Sequence, residues 1–269
     1  MSKLDIIIPV YNKAPFLRRC LDSVASQKGD CSVILIDDGS TDESGKICDE
    51  YKKFDNFRVF HQENVGVSAT RNRGIDLAES SHLTFLDADD AYSQGAVTCM
   101  TRRIGNEKII SFNHYRQRRN LPPRAEKTLK PGVYDLRSRP TCWWGVWNKV
   151  YSTEFLKENN LRFDKKVSFG EDELFNLECL MVCGTYKHFF ERPLSRYFDD
   201  KNSLVRGIYP ERLLSQYFGL LRILDRLERT GGSEFHKKVV KDLMKEHEAS
   251  ALYLRVLGRK TPEEYLCSM

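Results

Sequence analysis

The sequence predicts an α/β fold: a mostly parallel sheet flanked by helices, with a helical appendage at its C-terminal end. Three observations carry this. Leu4–Val10 (LDIIIPV) is almost wholly apolar, as a central strand buried on both faces must be. Apolar runs and helix-spaced segments then alternate through about residue 86. Every connection between successive runs is long enough for a crossover, which parallel pairing requires.

The elements follow in order. Pro9 sits at the exit of the first strand, where a missing N–H is tolerated. Tyr11-Asn12-Lys13 makes a turn, and Phe16, Leu17, Cys20, Leu21 and Val24 recur at helical spacing. Ser32–Ile36 is the second strand. It runs into Asp37-Asp38-Gly39-Ser40-Thr41-Asp42, a turn joined to a helix start. Ile47 and Tyr51 share one helix face. Phe57–Phe60 is a short third strand, and Asn64-Val65-Gly66 turns into a helix bearing Ala69, Ile75, Leu77 and Ala78. The fourth strand, Leu83–Leu86, ends in Asp87, Asp89 and Asp90. In the second half, Lys108–Phe112 reads as a strand and 113–132 as a basic loop. Phe169-Gly170-Glu171-Asp172-Glu173 precedes a strong helix with Leu174, Phe175, Leu177, Leu180 and Met181 apolar, and about 209–230 and 233–257 read as two amphipathic helices. The chain divides into 1–205, with halves at 1–112 and 113–205, and a helical region at 206–269.

Composition narrows the function classes. The 269 residues are 41% hydrophobic and 30% charged, ordinary values for a soluble protein able to bury a core. The net charge of +5 is accounted for by 113–130, where six basic residues face one acid, Glu126. One basic segment on a near-neutral chain does not make a nucleic-acid-binding domain. It suits an anionic substrate or membrane surface, or is a solvated loop. No N-terminal leader and no bilayer-length apolar run are read. The cysteines lack zinc spacing, and Cys179 and Cys183 read as buried free thiols in a reducing compartment.

The chemistry gathers at strand exits. Asp87 and Asp89 lie two apart, so on an extended backbone both point to one face. Paired oxygen ligands suit a hard divalent cation that takes its other ligands from water and substrate phosphates. The same acids would also serve as caps for a following helix. Neither a G-x-G-x-x-G nor a G-x-x-x-x-G-K-[ST] loop follows the first strand. Glu171-Asp172-Glu173 opens a helix after Gly170, where acids favour the positive helix end and also project into a cleft. Trp143, Trp144 and Trp147 are all the tryptophans of the chain, and read equally as core or as an aromatic surface on which a ligand stacks.

Taken together, Ile8-Pro9-Val10-Tyr11-Asn12, Ile36-Asp37-Asp38-Gly39-Ser40-Thr41-Asp42, Asn64-Val65-Gly66, Ala69-Thr70-Arg71-Asn72-Arg73-Gly74, Phe85-Leu86-Asp87-Ala88-Asp89-Asp90, Trp147-Asn148-Lys149-Val150-Tyr151 and Gly170-Glu171-Asp172 resemble a family 2 inverting glycosyltransferase of the GT-A fold, of the bacterial surface-polysaccharide type. The resemblance covers about residues 4–205. It implies transfer of a sugar from a UDP-sugar to a hydroxyl of a saccharide or lipid-linked saccharide, on the cytoplasmic side. It implies that Pro9, Tyr11, Asp37, Asp38 and Arg71 hold the nucleotide. Asp87 and Asp89 match the D-x-D pair that holds Mn²⁺ or Mg²⁺ on the diphosphate, with Asp89 the direct ligand. Asp172 matches the catalytic base, with Glu171 beside it. His188, Arg196 and Ser203 match loosely positions near the donor, and His188 alone reads as structural. The C-terminal helices would pack on the catalytic domain, pair with a second copy or lie on a membrane. Two other classes stay open: an inactive sugar-nucleotide-binding scaffold and a nucleotidyltransferase.

Overall fold

The structure is a computed structural model. It describes residues 2–118, 124–125, 129–138, 145–199 and 210–256. Its contacts divide the chain into two units, one of residues 1–163 and 176–200, the other of 164–175 and 201–269.

The first unit is built on one sheet. Its elements are β1 (Leu4–Val10), α1 (Ala14–Ala25), β2 (Cys31–Asp38), α2 (Ser44–Glu50), β3 (Phe57–Gln62), α3 (Val67–Leu77), β4 (His82–Phe85), β5 (Ala91–Tyr92), α4 (Ala96–Arg103), β6 (Ile109–Arg118), β7 (Arg124–Ala125), β8 (Gly132–Asp135), β9 (Lys149–Ser152), α5 (Thr153–Glu158), the later part of α6 (Glu171–Cys183) and β10 (Thr185–Asp199). The strand order is β3-β2-β1-β4-β9-β6-β10-β5, with β7 against β6 and β8 against β10. The pairs β3–β2, β2–β1 and β1–β4 are parallel. Strand β9 runs antiparallel to both β4 and β6, while β6 and β10 are parallel.

Alternation along β1 explains the layering. Ile6, Ile8 and Val10 join Leu17, Cys20, Leu21 and Val24 of α1 and Val97 and Met100 of α4 in one apolar cluster. Ile7 points the other way, towards α3. There a Cβ on Gly74 would lie 2.4 Å from Ile7 Cγ2, so only glycine lets this helix approach β1 so closely. Asn72 fixes the same helix to the chain beyond α5. Its side chain accepts from Phe163 N at 2.8 Å and donates to Phe163 O at 2.9 Å.

The chain passes from β1 outward through β2 and β3, then crosses to the other side of β1 to form β4. Strand order therefore reverses between β1 and β4, and open α/β sheets bind ligands at the carboxyl end of such a reversal.

The second half departs from the sequence reading in several places, with β7, β9 and α5 among the elements not expected. The run expected to be loop from residue 113 is strand through Arg118, because this part of β6 pairs with β10 and β7 despite its polar sequence. The long strand β10 was not expected. Its register with β6 shifts between His188 and Phe190 and again between Phe190 and Ser195, a stretch that contains Pro193.

The second unit holds residues 164–170, the start of α6, α7 (Pro210–Arg229) and α8 (Glu234–Val256). Residues 164–175 lie against α7. Ser168 N donates to Ser215 Oγ at 2.8 Å, Gln216 Nε2 donates to Glu173, and Arg222 pairs with Asp164 at 2.5 Å. Gly219 faces Leu174 and Val167 so closely that a Cβ would lie 2.1 Å from Leu174 Cδ1. Among the described residues, no helix is long and apolar enough to cross a membrane.

Candidate active site

Two loops meet above β1 and β2. Asn12 follows β1 with φ of 51°, a left-handed conformation that asparagine adopts more readily than most residues. Its Oδ1 accepts from Thr41 N at 2.8 Å and Asp42 N at 3.3 Å, and its own N donates to Ser40 Oγ at 3.0 Å. Lys13 N donates to Ser44 Oγ at 2.8 Å, and Ala14 N to Asp42 Oδ2 at 3.1 Å. The turn signals seen after β1 and β2 are thus one interlocked structure. Gly39 has φ of 70° and lies where a Cβ would sit 2.7 Å from Asn64 N.

Asp37 and Asp38 end β2, and both are buried. Asp38 Oδ1 accepts from Val65 N at 3.0 Å and Gln62 Nε2 at 2.7 Å, while its Oδ2 accepts from Gly66 N at 2.9 Å. It therefore holds the turn that leads into α3. Asp37 Oδ1 accepts from Ser40 N at 3.1 Å, and its Oδ2 lies 2.9 Å from His61 Nδ1. The other ring nitrogen of His61 lies 2.9 Å from Asp49 Oδ1. The two carboxylates, Asp37 foremost, raise the His61 pKa. Pro9 is half-buried in β1, and Tyr11, next to its end, is 46% exposed. Tyr11, Val65 and Val67 are large apolar side chains left in solvent where these strands end.

On the other side of the reversal, Asp87, Asp89 and Asp90 follow β4, each in a different environment. Asp87 Oδ1 accepts from Arg71 Nη2 at 2.9 Å. Arg71 is 4% exposed, and its guanidinium lies 5.3 Å from the centre of the Phe163 ring. Asp89 Oδ2 accepts from Lys13 Nζ at 2.5 Å, across the gap between the exits of β1 and β4. Arg19 Nη2 donates to the Asp89 carbonyl at 2.5 Å, and its guanidinium lies 3.5 Å from the centre of the Phe198 ring. Asp90 is buried and accepts from Phe198 N at 3.0 Å, which ties this exit to β10. Burial, then the neighbouring Asp87 and Asp89, push its pKa well up.

The structure thus gathers Tyr11, Asp38, Asp87 and Asp89 at the carboxyl ends of β1, β2 and β4. Lys13, Arg19 and His61 join them and were not singled out in the sequence. For Lys13 the sequence signal is only its place in the turn after β1. Glu171 and Asp172 lie in the first turn of α6, within the second unit, with buried Glu173 beside them. His188 is buried and lies 2.8 Å from Ser111 Oγ through Nδ1, a structural placement. Arg196 is exposed on β10. Trp147 meets the His114 ring edge-on at 4.5 Å, whereas Trp143, Trp144 and Ser203 lie outside the described residues. Cys179 is a buried free thiol and Cys183 a partly buried one. Among the described residues, no group of three or more His, Cys, Asp or Glu side chains is placed to hold a metal.

The profile of the family described as Glycosyl transferase family 2 matches residues 5–167. The chain is 33% identical over 232 residues to the uncharacterized glycosyltransferase EpsJ of Bacillus subtilis (strain 168), covering 80% of this chain and 67% of that protein. It is 44% identical over 194 residues to the minor teichoic acid biosynthesis protein GgaA of the same organism, covering 66% of this chain but 43% of that protein. Among solved structures, S. aureus TarS 1-349 in complex with UDP-GlcNAc superposes with a TM-score of 0.74, covering 91% of this chain and 71% of that one at 19% identity, a likeness of fold. The profile covers more than half of the chain, and the strands and loops it spans are those that carry the gathered carboxylates: the chain belongs to glycosyl transferase family 2 and is a glycosyltransferase.

Proposed function

We propose that this glycosyltransferase moves a sugar from a UDP-sugar to a hydroxyl of a saccharide or lipid-linked saccharide acceptor, with inversion at the anomeric carbon. The product would be a bacterial surface polysaccharide or glycolipid, built on the cytoplasmic side. The observation that carries this reading is the cluster of carboxylates and cations at the β1–β4 reversal, where Asp87 and Asp89 stand beside Arg71 and Lys13. The names of two relatives support its parts: TarS is solved with UDP-GlcNAc, and GgaA is a teichoic acid biosynthesis protein.

Residues 1–112 would bind the donor, 113–205 the acceptor, and 206–269 form the helical region. Pro9, Tyr11, Asp37 and Asp38 would line the nucleoside site, with the exposed ring of Tyr11 offering a stacking face. Asp89, with Asp87, would hold Mn²⁺ or Mg²⁺. Their donor set fits: both groups are carboxylates, as hard cations prefer, and two protein ligands leave positions for water and a diphosphate. Such a cation supplies Lewis-acid stabilisation of the departing nucleoside diphosphate. Arg71 keeps Asp87 in place from a buried position, so the pair needs no rearrangement when charge develops. Asp172 would take the acceptor's proton as general base, with Glu171 beside it, a role that typically contributes 10²–10⁴-fold.

The test is a screen of UDP-sugars for Mn²⁺-dependent transfer or hydrolysis, followed by two variants. Asp89→Ala should abolish transfer and weaken Mn²⁺-dependent UDP binding. Asp172→Asn should keep UDP affinity and lose transfer. Unchanged turnover in the first variant overturns the metal assignment, and collapse of UDP affinity in the second overturns the base assignment.

A further inference from the structure

We infer that Lys13 is a built-in counter-cation for Asp89 which a divalent metal must displace, so that metal and donor diphosphate bind as a coupled pair. The inference rests on the reading of Asp89 as a metal ligand and deepens it.

The two carboxylates after β4 are held in different ways. Arg71 grips Asp87 from a site that is 4% exposed, with its guanidinium 5.3 Å from the Phe163 ring centre. A planar fork fixed like this does not swing away. Lys13 and Asp89 are instead 36% and 35% exposed, and they meet at the mouth of the site at 2.5 Å. The backbone of Lys13 is pinned. Its N donates to Ser44 Oγ at 2.8 Å, and its O accepts from Phe16 N and Leu17 N, both at 2.9 Å. Only the four-carbon stem is left to move, and it carries a compact point charge that needs no particular partner geometry. One carboxylate is permanently tied, and the other is tied by a group built to let go.

The consequence is electrostatic. A bare dication arriving at Asp89 meets an ammonium at the same carboxylate, and the two repel. A donor diphosphate changes the balance, because its negative charges offset the cation and give the released ammonium a new anionic partner within the reach of its stem. Metal alone is therefore held weakly, and metal with diphosphate tightly. Coupling of this kind is reciprocal: the factor by which UDP tightens the metal equals the factor by which the metal tightens UDP.

The test titrates Mn²⁺ alone, and then Mn²⁺ with UDP, into wild type, Lys13→Met and Lys13→Gln, by the loss of the free-Mn²⁺ spin signal and by calorimetry. Circular dichroism checks that each variant folds. An exposed ion pair of this type corresponds to a change of up to about fivefold. Both variants should bind Mn²⁺ alone about two- to fivefold tighter than wild type, and the Mn²⁺–UDP coupling factor should shrink. Bare Mn²⁺ binding equal to or weaker than that of wild type in both variants overturns the inference. Asp89→Asn separates the two readings. If it loses Mn²⁺ while the Lys13 variants behave like wild type, only the role of Lys13 fails. If it binds Mn²⁺ and UDP as wild type does, the metal reading fails and takes the Lys13 role with it.

Discussion

At the scale of single residues, His61 shows how a side chain beside the β2 exit reports its charge. Its ring nitrogens lie 2.9 Å from Asp37 Oδ2 and 2.9 Å from Asp49 Oδ1. A neutral imidazole can donate to only one of them, whereas the imidazolium donates to both. The two carboxylates raise its pKa. Stability from this pairing is therefore fully present below the ordinary histidine pKa of about 6.5, and is lost as pH rises through the raised folded value. His61→Gln should accordingly melt below wild type near pH 6, and the gap should close as pH rises above the raised folded value. The ring is 41% exposed, so the deficit should be within about 1 kcal/mol. A gap independent of pH would mean that the pairing carries no charge. None of this was legible in sequence, since His61 is 24 residues from Asp37 and carries no motif. The acids were legible because they interrupt apolar strands. Lys13 was not, because a lysine in a turn looks like any solvated residue and its partner is 76 positions away.

At the scale of elements, the first half of the sheet was readable because burial on both faces writes itself as continuous apolar runs. Leu4–Val10 was read with the bounds it has, whereas the next strand was read as Ser32–Ile36 and runs from Cys31 to Asp38, taking in both acids. The later strands were not readable in the same way. β6 continues through polar Asn113 and His114, and β10 mixes aromatic and charged residues, so partners distant in sequence decide their conformation. Helix α3 is a third case: its motif residues Asn72 and Gly74 were noticed as a resemblance, and the structure gives the physical reason. Gly74→Ala should force its methyl against Ile7, the contact being 2.4 Å, and cost about 1–3 kcal/mol. Asn72→Ala should leave the N–H and C=O of Phe163 without their side-chain partner in a buried setting, at about 2–3 kcal/mol. Urea unfolding with a constant m-value measures both. Losses under about 0.5 kcal/mol would show that α3 relaxes away from β1 and from the loop at Phe163.

At the scale of the whole molecule, motifs and contacts draw different lines. The stretch covered by the resemblance ends near residue 205, whereas the contacts join 164–175 to 201–269. The short segment that carries Glu171 and Asp172 belongs by packing to the later helices. Val167 and Leu174 are buried, and Gly219 of α7 approaches both. Glu173 is buried as well, with Gln216 Nε2 donating to it. A protein cut after residue 205 would lose that cover and expose both apolar side chains together with the Glu173 carboxyl group. Burial of each such apolar side chain is worth about 1.5–3 kcal/mol, and the hydrogen bond from Gln216 to Glu173 is lost with them. The truncated protein should therefore aggregate, or keep its sheet while losing order over 164–175. Hydrogen exchange separates these outcomes, since protection confined to the strands of the first unit marks the second. If the cut protein remained monomeric, with 164–175 protected as in the full chain, the segment would owe its fold to the first unit. The Gly219→Leu variant tests the same packing without deletion. Its side chain cannot fit where even a Cβ lies 2.1 Å from Leu174 Cδ1. It should raise exchange over 164–175 while leaving β1–β4 as protected as before.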